Sequence, residues 1–167
     1  PGVDLVALTG SLATGQRVGE LCAREIKKCH LELGGNDPFI VFPDADLEVA
    51  ARGAVWAAFL NAGQVCTSGK RYFIFEEIYD EFVARAVEFT KSLRLGHGLD
   101  PKTDIGPVIN ARQLADVEAR VAEAVADGAR VLTGGRRSRK LKEGFFFEPT
   151  ILVDVRPEMR IVATETF

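Results

Sequence analysis

Cys66 stands in the glycine-flanked segment NAGQVCTSGKR, residues 61–71. A free thiol has a pKa near 8.5, so only about 3% of it is thiolate at neutral pH. A nucleophilic cysteine therefore needs a base, a cation or backbone N–H groups beside it, and the cations of Lys70 and Arg71 are close in sequence. The alternative is that Cys66 fills a packed interior, as most free cysteines do.

The other two cysteines and the two histidines give this thiol little support. We expect Cys22, in a helix, and Cys29, in a strand, to be buried packing residues. His97 lies in a loop, and we expect His30 to point to the opposite strand face from Glu32. A protease-like Cys–His pair is not indicated, and no metal-ligand spacing is present. An odd number of cysteines fits a reducing, cytoplasmic setting.

Glu32 is the second candidate for chemistry. It alternates with leucines in LELGG, residues 31–35, just before a glycine pair. Parallel α/β sheets build their sites at such strand ends, and burial would make this carboxylate a usable general base. The alternative is a strand-end glutamate that faces water or pairs with Lys27 or Lys28.

A glycine turn joins a strand to a helix in LTGSLATG, residues 8–15. Such a turn offers backbone N–H groups and a positive helix end to a phosphate. The spacing matches neither G-x-G-x-x-G nor a P-loop, because Gln16 and Arg17 replace the Lys-Ser/Thr pair that a P-loop requires. A plain tight turn is the alternative.

The elements that must position these residues follow from hydrophobic periodicity. Strands are predicted at 3–10, 28–35, 36–42, 71–78, 130–135 and 145–155, and helices at 13–26, 43–63, 79–93 and 110–129. The alternation predicts an α/β fold with a mostly parallel sheet and flanking helices. Asp44 or Asp46 should cap the second helix, which we expect to be too apolar for a surface helix and to end at Gly63.

Composition excludes several classes of function. The chain has 167 residues and a formal net charge of −3, and its one basic run, RRSRKLK at 136–142, is predicted to be a solvated loop. We therefore expect no nucleic-acid partner. No apolar run reaches the roughly 18 residues that span a bilayer, and no signal peptide is visible, so no membrane partner is expected. A start at Pro1 and an end at Phe167 predict a piece of a longer protein.

Together these segments resemble the NAD(P)-dependent aldehyde dehydrogenase superfamily. The order is LTGS, LELGGNDP, NAGQVCTSGKR, TDIGPVI, FEPTILVDV and ATETF, and it covers essentially the whole chain. The pairing of LELGG with GQVC about thirty residues later is specific. The resemblance implies an aldehyde-dehydrogenase-like catalytic domain truncated at both ends. Residues 1–33 would close the cofactor-binding domain with a strand–helix–strand unit, and residues 34–167 would form an incomplete catalytic domain.

The resemblance also implies site residues. Cys66 matches the nucleophile and Glu32 the general base in the oxidation of a small aldehyde to a carboxylic acid with NAD or NADP. The positions that match the cofactor site are Gly10 and Ser11 at the pyrophosphate, Leu33 and Gly34 at the nicotinamide, Gln113 and Glu165 at a ribose, and Phe167 beside the nicotinamide ring.

The resemblance further implies a cytoplasmic homo-oligomer, a dimer or tetramer, with these 167 residues inactive alone. Two alternatives stay open: a cofactor-independent thiol esterase that uses Cys66 and Glu32, and a non-enzymatic assembly module. Glu165 and Phe167 favour the oxidoreductase, because a hydrolase has no use for a nicotinamide clamp.

The same resemblance bears on the substrate. Relatives that take succinate semialdehyde or phosphorylated aldehydes tend to carry an arginine six residues before the cysteine, or directly before it. Leu60 and Val65 occupy those positions here. Because a bidentate carboxylate or phosphate clamp needs a guanidinium, we expect neither anionic substrate.

Overall fold

A computed structural model describes residues 2–167, which divide into two compact units, one ending at Gly35 and the other running from Asn36 to Phe167. Strands and helices alternate, which confirms the predicted α/β class. The strands are β1 (Leu5–Thr9), β2 (Lys28–Glu32), β3 (Asp37–Val41), β4 (Gly69–Ile74), β5 (Arg130–Thr133) and β6 (Ile151–Val153). The helices are α1 (Leu12–Arg24), α2 (Leu47–Phe59), α3 (Glu76–Ser92), α4 (Ala111–Ala126) and α5 (Arg160–Ala163), with a 3-10 turn at Leu60–Gly63.

The first unit is a β1–α1–β2 unit with parallel strands. Thr9 lies opposite Glu32, and the Gly10 N–H donates to the Glu32 carbonyl at 3.0 Å, so the turn before α1 stays beside the end of β2. Helix α1 packs closely on that end, since a Cβ at Gly15 would lie 2.4 Å from the Leu33 side chain.

The second unit has its main core between the parallel β3–β4 pair and the helices α2 and α3. Buried side chains of this core are Val41, Ala51, Ala54, Val55, Phe82 and Ala86. The helix predicted at 79–93 is present as α3, and its apolar side chains either belong to this core or pack against it: Ile78, Phe82, Ala86, Phe89 and Leu93. Asp46, rather than Asp44, caps α2 by accepting hydrogen bonds from the N–H groups of Glu48 and Val49.

Helix α2 is only partly buried, contrary to its prediction. Val55 faces the core at 7% exposure, whereas Val49 and Trp56 are 66% and 65% exposed. The helix also ends at Phe59 rather than at Gly63, because the chain tightens there into the 3-10 turn. One face of α2 is therefore core, and the opposite face exposes Val49 and Trp56 beside the ion pair of Glu48 and Arg52.

The six strands pair two by two instead of forming one continuous sheet. The pairs β1–β2 and β3–β4 are parallel, and β5–β6 is antiparallel. The predicted strand at 145–155 shortens to Ile151–Val153. Pro149 precedes it and has no N–H for a ladder.

A groove of about 550 Å³ runs through the second unit. Every residue of β4 and every residue of the segment 147–157 lines it, so it follows the unpaired edges of β4 and β6. Gly63 and Phe167 also line it. Within residues 2–167, no helix is long and apolar enough to cross a membrane.

Candidate active site

Glu32 ends β2 in the first unit with its side chain 62% exposed. Its Oε1 lies 2.9 Å from His30 Nε2, so the expectation that His30 points to the opposite face is wrong. Residues two apart on a strand share a face. Among residues 2–167, the ion pair of Glu32 is with His30 and not with the alternative partners, Lys27 and Lys28. Such an exposed pair contributes only about 0–1 kcal/mol.

The turn at Gly10 and Ser11 lies next to Glu32 through the backbone bond described above. Ser11 caps α1, its Oγ accepting from the Thr14 N–H at 3.3 Å. A Cβ built at Gly10 would make ordinary contacts with Leu8 and Thr14 at 3.8–4.0 Å, and residues 11–14 are exposed. The first turn of α1 thus presents N–H groups to an open surface, which suits an anionic group.

The three cysteines differ in exposure. Cys22 is buried as predicted, Cys66 is half-buried, and Cys29 is exposed, so the packing role predicted for Cys29 is wrong. In the first unit, β2 has one neighbouring strand, and Leu31 is its only half-buried residue. Little in that unit therefore covers Cys29.

A left-handed turn precedes Cys66 in the second unit. Asn61, Ala62 and Gly63 have φ values of 52°, 58° and 78°, a region that costs a non-glycine residue energy. Gln64 closes the turn, because its backbone N–H and its Nε2 both donate to the Asn61 carbonyl, at 3.2 and 3.0 Å. The Asn61 side chain donates back to the Gln64 carbonyl at 3.2 Å.

Ser68 anchors the chain just after the thiol. It is 2% exposed, and its Oγ donates to the Ala57 carbonyl of α2 at 2.7 Å. Its N–H donates to the Val65 carbonyl at 3.1 Å, so Cys66 lies within a tight turn. Cys66 is thus held from both sides by hydrogen bonds that end on backbone carbonyls.

Tyr72 ties β4 to the same helix. Its hydroxyl lies 3.0 Å from the Ala54 carbonyl and 2.9 Å from the Gly69 carbonyl. Burial raises the pKa of Tyr72 above its ordinary value, so the phenol stays a neutral donor. The helix before Cys66 and the strand after it therefore act as one support.

The two basic residues near Cys66 are both bound to backbone carbonyls. Lys70 Nζ donates to the Gly63 carbonyl at 2.6 Å, and Arg71 Nε donates to the Asn36 carbonyl at 2.9 Å. Burial lowers the pKa of Lys70, and the charge of Glu165 works in the opposite direction. Lys70 thus fixes the backbone just before the thiol, whereas Arg71 ties β4 to the residue before β3.

Two of the residues assigned to the cofactor site meet in the second unit. Gln113 Nε2 donates to the Phe167 carbonyl at 2.6 Å, and Asn110 caps the helix that carries Gln113. The Gln113 amide retains a second N–H and its oxygen for further bonds. The loop before α4 is tied to the cysteine segment, because Gln64 Oε1 accepts from the Ile109 N–H at 2.8 Å.

Sequence reasoning did not single out Ser68, Gln64 or Tyr72. Ser68 and Gln64 lie in the quoted GQVCTSG segment. The signal that could have identified them is a hydroxyl and an amide side chain in the connection between a helix and a strand, where such groups bind backbone carbonyls. Tyr72 gave no such signal, because its partners are carbonyls three and eighteen residues earlier in the chain. Among residues 2–167, no group of three or more His, Cys, Asp or Glu side chains could hold a metal ion.

The family model described as "Aldehyde dehydrogenase family" matches residues 1–167. A probable succinate-semialdehyde dehydrogenase [NADP(+)] of Sinorhizobium fredii is 44% identical over 100% of this chain and 34% of its own length. A betaine aldehyde dehydrogenase of Bacillus subtilis is 44% identical over 99% of this chain and 34% of its own length. The chain thus spans about a third of the length of the curated relatives it matches.

Solved structures of similar dehydrogenases also superpose closely on this chain. A 3,6-anhydro-L-galactose dehydrogenase solved with NADP superposes with a TM-score of 0.92 at 42% identity, over 96% of this chain and 34% of that one. A betaine aldehyde dehydrogenase of Staphylococcus aureus in complex with NAD+ gives 0.94 at 38% identity, over 98% of this chain and 33% of that one. The 167 residues therefore belong to the aldehyde dehydrogenase family.

Proposed function

We propose that the whole protein oxidises an aldehyde to a carboxylic acid with NAD+ or NADP+, using Cys66 as nucleophile and Glu32 as general base. The observation that carries the proposal is the support around Cys66. A half-buried thiol lies between Gln64 and Ser68, and the side chains of these two residues donate to backbone carbonyls of the preceding chain, at Asn61 and Ala57. Such a rigid loop keeps a nucleophile in one attack geometry.

Cys66 would first add to the carbonyl carbon, forming a C–S bond and a tetrahedral thiohemiacetal. NAD(P)+, when bound, supplies the acceptor for the hydride that leaves this carbon. The resulting thioester on Cys66 would then be attacked by water, with Glu32 accepting the water proton. The C–S bond breaks, the thiol is regenerated, and one oxygen of the acid comes from water.

Three features of the structure support the proposed cofactor positions. Gly10 and Ser11 form the turn at the N-terminus of α1, where Ser11 is exposed, and Leu33 and Gly34 follow β2 directly. In the second unit, Phe167 is exposed, and the buried hydroxyl of the adjacent Thr166 has no hydrogen-bond partner among the described residues. The segment that includes Glu165 thus keeps an unused polar group beside the groove.

We also propose that the protein is a cytoplasmic homo-oligomer. Large apolar side chains are exposed on α2, at Val49 and Trp56, and on one face of the β3–β4 pair, at Ile40, Phe42 and Phe73. Exposed apolar patches of this kind typically mark surfaces that other polypeptide covers. In the whole protein they would lie against other domains or a second subunit.

The substrate is proposed to be an aldehyde without a terminal carboxylate or phosphate, because Leu60 and Val65 offer no guanidinium. Two relatives at 44% identity carry the names of succinate-semialdehyde and betaine aldehyde dehydrogenases, so identity does not select the aldehyde. Comparing kcat/KM for succinate semialdehyde and for neutral aliphatic aldehydes tests this point. A hundredfold preference for succinate semialdehyde would contradict it.

The proposal is tested by assaying a full-length protein and the isolated 167 residues with an aldehyde and NAD(P)+, following reduced nicotinamide. We expect turnover by the full-length protein and none by the 167 residues. The resemblance implies that one donor to the oxyanion and most contacts to the cofactor come from parts of the protein outside these residues. Loss of one oxyanion donor alone typically costs about 10²–10³ in rate. A full-length protein that oxidises no aldehyde would contradict the proposed function.

A further inference from the structure

Lys70 makes the only side-chain hydrogen bond to the Gly63 carbonyl that the described residues contain. The Nζ–O distance is 2.6 Å, and Gly63 ends the left-handed turn three residues before Cys66. The fit is close, since a Cβ at Gly63 would lie 3.3 Å from Nζ. A bond donated by an ammonium is stronger than one between neutral groups.

The same ammonium also interacts electrostatically with a second segment. Glu165 is the acid whose charge acts on Lys70, opposing the effect that burial has on its pKa. Thr166 and Phe167, which follow Glu165, line the same groove as Gly63 and Lys70. The turn before the thiol, Lys70 and the end of the segment assigned to the nicotinamide ribose thus face one groove.

We propose that Lys70 is a positioning residue whose ammonium holds the turn before Cys66 through the Gly63 carbonyl and couples that turn to Glu165. A ligand that donates hydrogen bonds to the Glu165 carboxylate would weaken the attraction of that carboxylate for Lys70, and hence reduce the order of the turn. The importance of this coupling for turnover rests on the proposed function. The coupling itself does not, because it is measurable in the 167 residues without catalysis.

The test is amide hydrogen exchange of the segment 61–68, followed by mass spectrometry on the 167-residue chain. The variants are Lys70→Met, Lys70→Arg, Glu165→Gln and the double variant Lys70→Met/Glu165→Gln, with Lys91→Met as control because Lys91 is an exposed lysine on α3. We expect exchange in this segment to rise about tenfold in Lys70→Met, the usual scale for losing a hydrogen bond to a charged group.

Three further results distinguish coupling from a merely structural role. Lys70→Arg should restore slow exchange, and Lys91→Met should leave it unchanged. Glu165→Gln alone should raise exchange in 61–68, but it should add nothing in the Lys70→Met background. Exchange in α4 serves as the internal reference for folding.

The proposal is overturned if Lys70→Met leaves exchange in 61–68 unchanged, or if the effects of Lys70→Met and Glu165→Gln simply add. If Lys70→Met also speeds amide exchange in α4, that variant has lost stability throughout the unit, and Glu165→Gln becomes the deciding variant. Unchanged exchange in 61–68 in Glu165→Gln then overturns the coupling. An inactive full-length protein would contradict the proposed function, but it would not affect these exchange results.

Discussion

The two units hold their candidate catalytic residues in different ways. In the first, Glu32 stands on an exposed strand end, and its ion-pair partner is another exposed side chain, His30. In the second, the loop that carries Cys66 is fixed by Ser68 and Lys70, whose side chains bind main-chain carbonyls. Bonds to carbonyls of packed elements resist solvent exchange, whereas an exposed pair opens easily. The order around the thiol is therefore local to its unit, and the first unit alone does not shield Glu32.

The largest effect should come from removing the nucleophile. In the full-length protein, Cys66→Ala should lower kcat on the order of 10⁶-fold, as loss of a nucleophile does in other covalent enzymes. Cys22→Ala and Cys29→Ser are the matched controls. Steady-state turnover near wild type in Cys66→Ala would remove this thiol from the reaction.

Glu32→Gln should have the next largest effect. Loss of a general base typically costs about 10²–10⁴ in rate, and the amide keeps the size of the side chain. The comparison of kcat between this variant and wild type measures the effect. An unchanged kcat would mean that Glu32 is an exposed residue of the first unit with no catalytic role.

Ser68→Ala tests the hydrogen bond by which the Ser68 hydroxyl ties the cysteine loop to a backbone carbonyl of α2. The change removes the donor to a part-buried carbonyl of α2, which should lower the free energy of unfolding by about 1–3 kcal/mol. Ser92→Ala removes a similar bond, from Ser92 to the Phe89 carbonyl, at an exposed site, and should cost no more than about 0.5 kcal/mol. Denaturant unfolding of both variants provides the comparison, and equal losses would show that burial of the Ser68 bond does not matter.

His30→Ala should have the smallest effect. An exposed ion pair contributes at most about 1 kcal/mol, so kcat of the full-length variant should change by no more than about fivefold. The matched kinetic experiment is Glu32→Gln under identical conditions. A loss in His30→Ala as large as that in Glu32→Gln would make His30 part of the catalytic group.

Much of the fold was predictable because it depends on local signals. The apolar spacing of α3 and the α/β alternation were read correctly from periodicity. The exposure of Cys29 and of Trp56 was not, because it depends on which neighbouring strands and helices are present. Pairing of β5 with β6 in antiparallel fashion is likewise a long-range result that no local pattern encodes.

The candidate site shows the same division. The GQVC and LELGG segments pointed to Cys66 and Glu32 through residue types and spacing. The bonds from Lys70 to Gly63 and from Gln113 to Phe167 depend on how the chain returns to the same place. His30 was misplaced by an error in strand periodicity, and the sequence contained the information to place it correctly.

The central claim is that Cys66 carries the acyl group that Glu32 helps to release. The direct measurement mixes the full-length Glu32→Gln variant with an aldehyde and NAD(P)+, quenches in acid, digests the protein and weighs the cysteine peptides. The account predicts that the peptide with Cys66 gains the mass of the acyl group, approaching one per subunit, because hydrolysis is slow without the base. An acyl group on Cys22 or Cys29, or none on Cys66 while the aldehyde is consumed, would contradict the account.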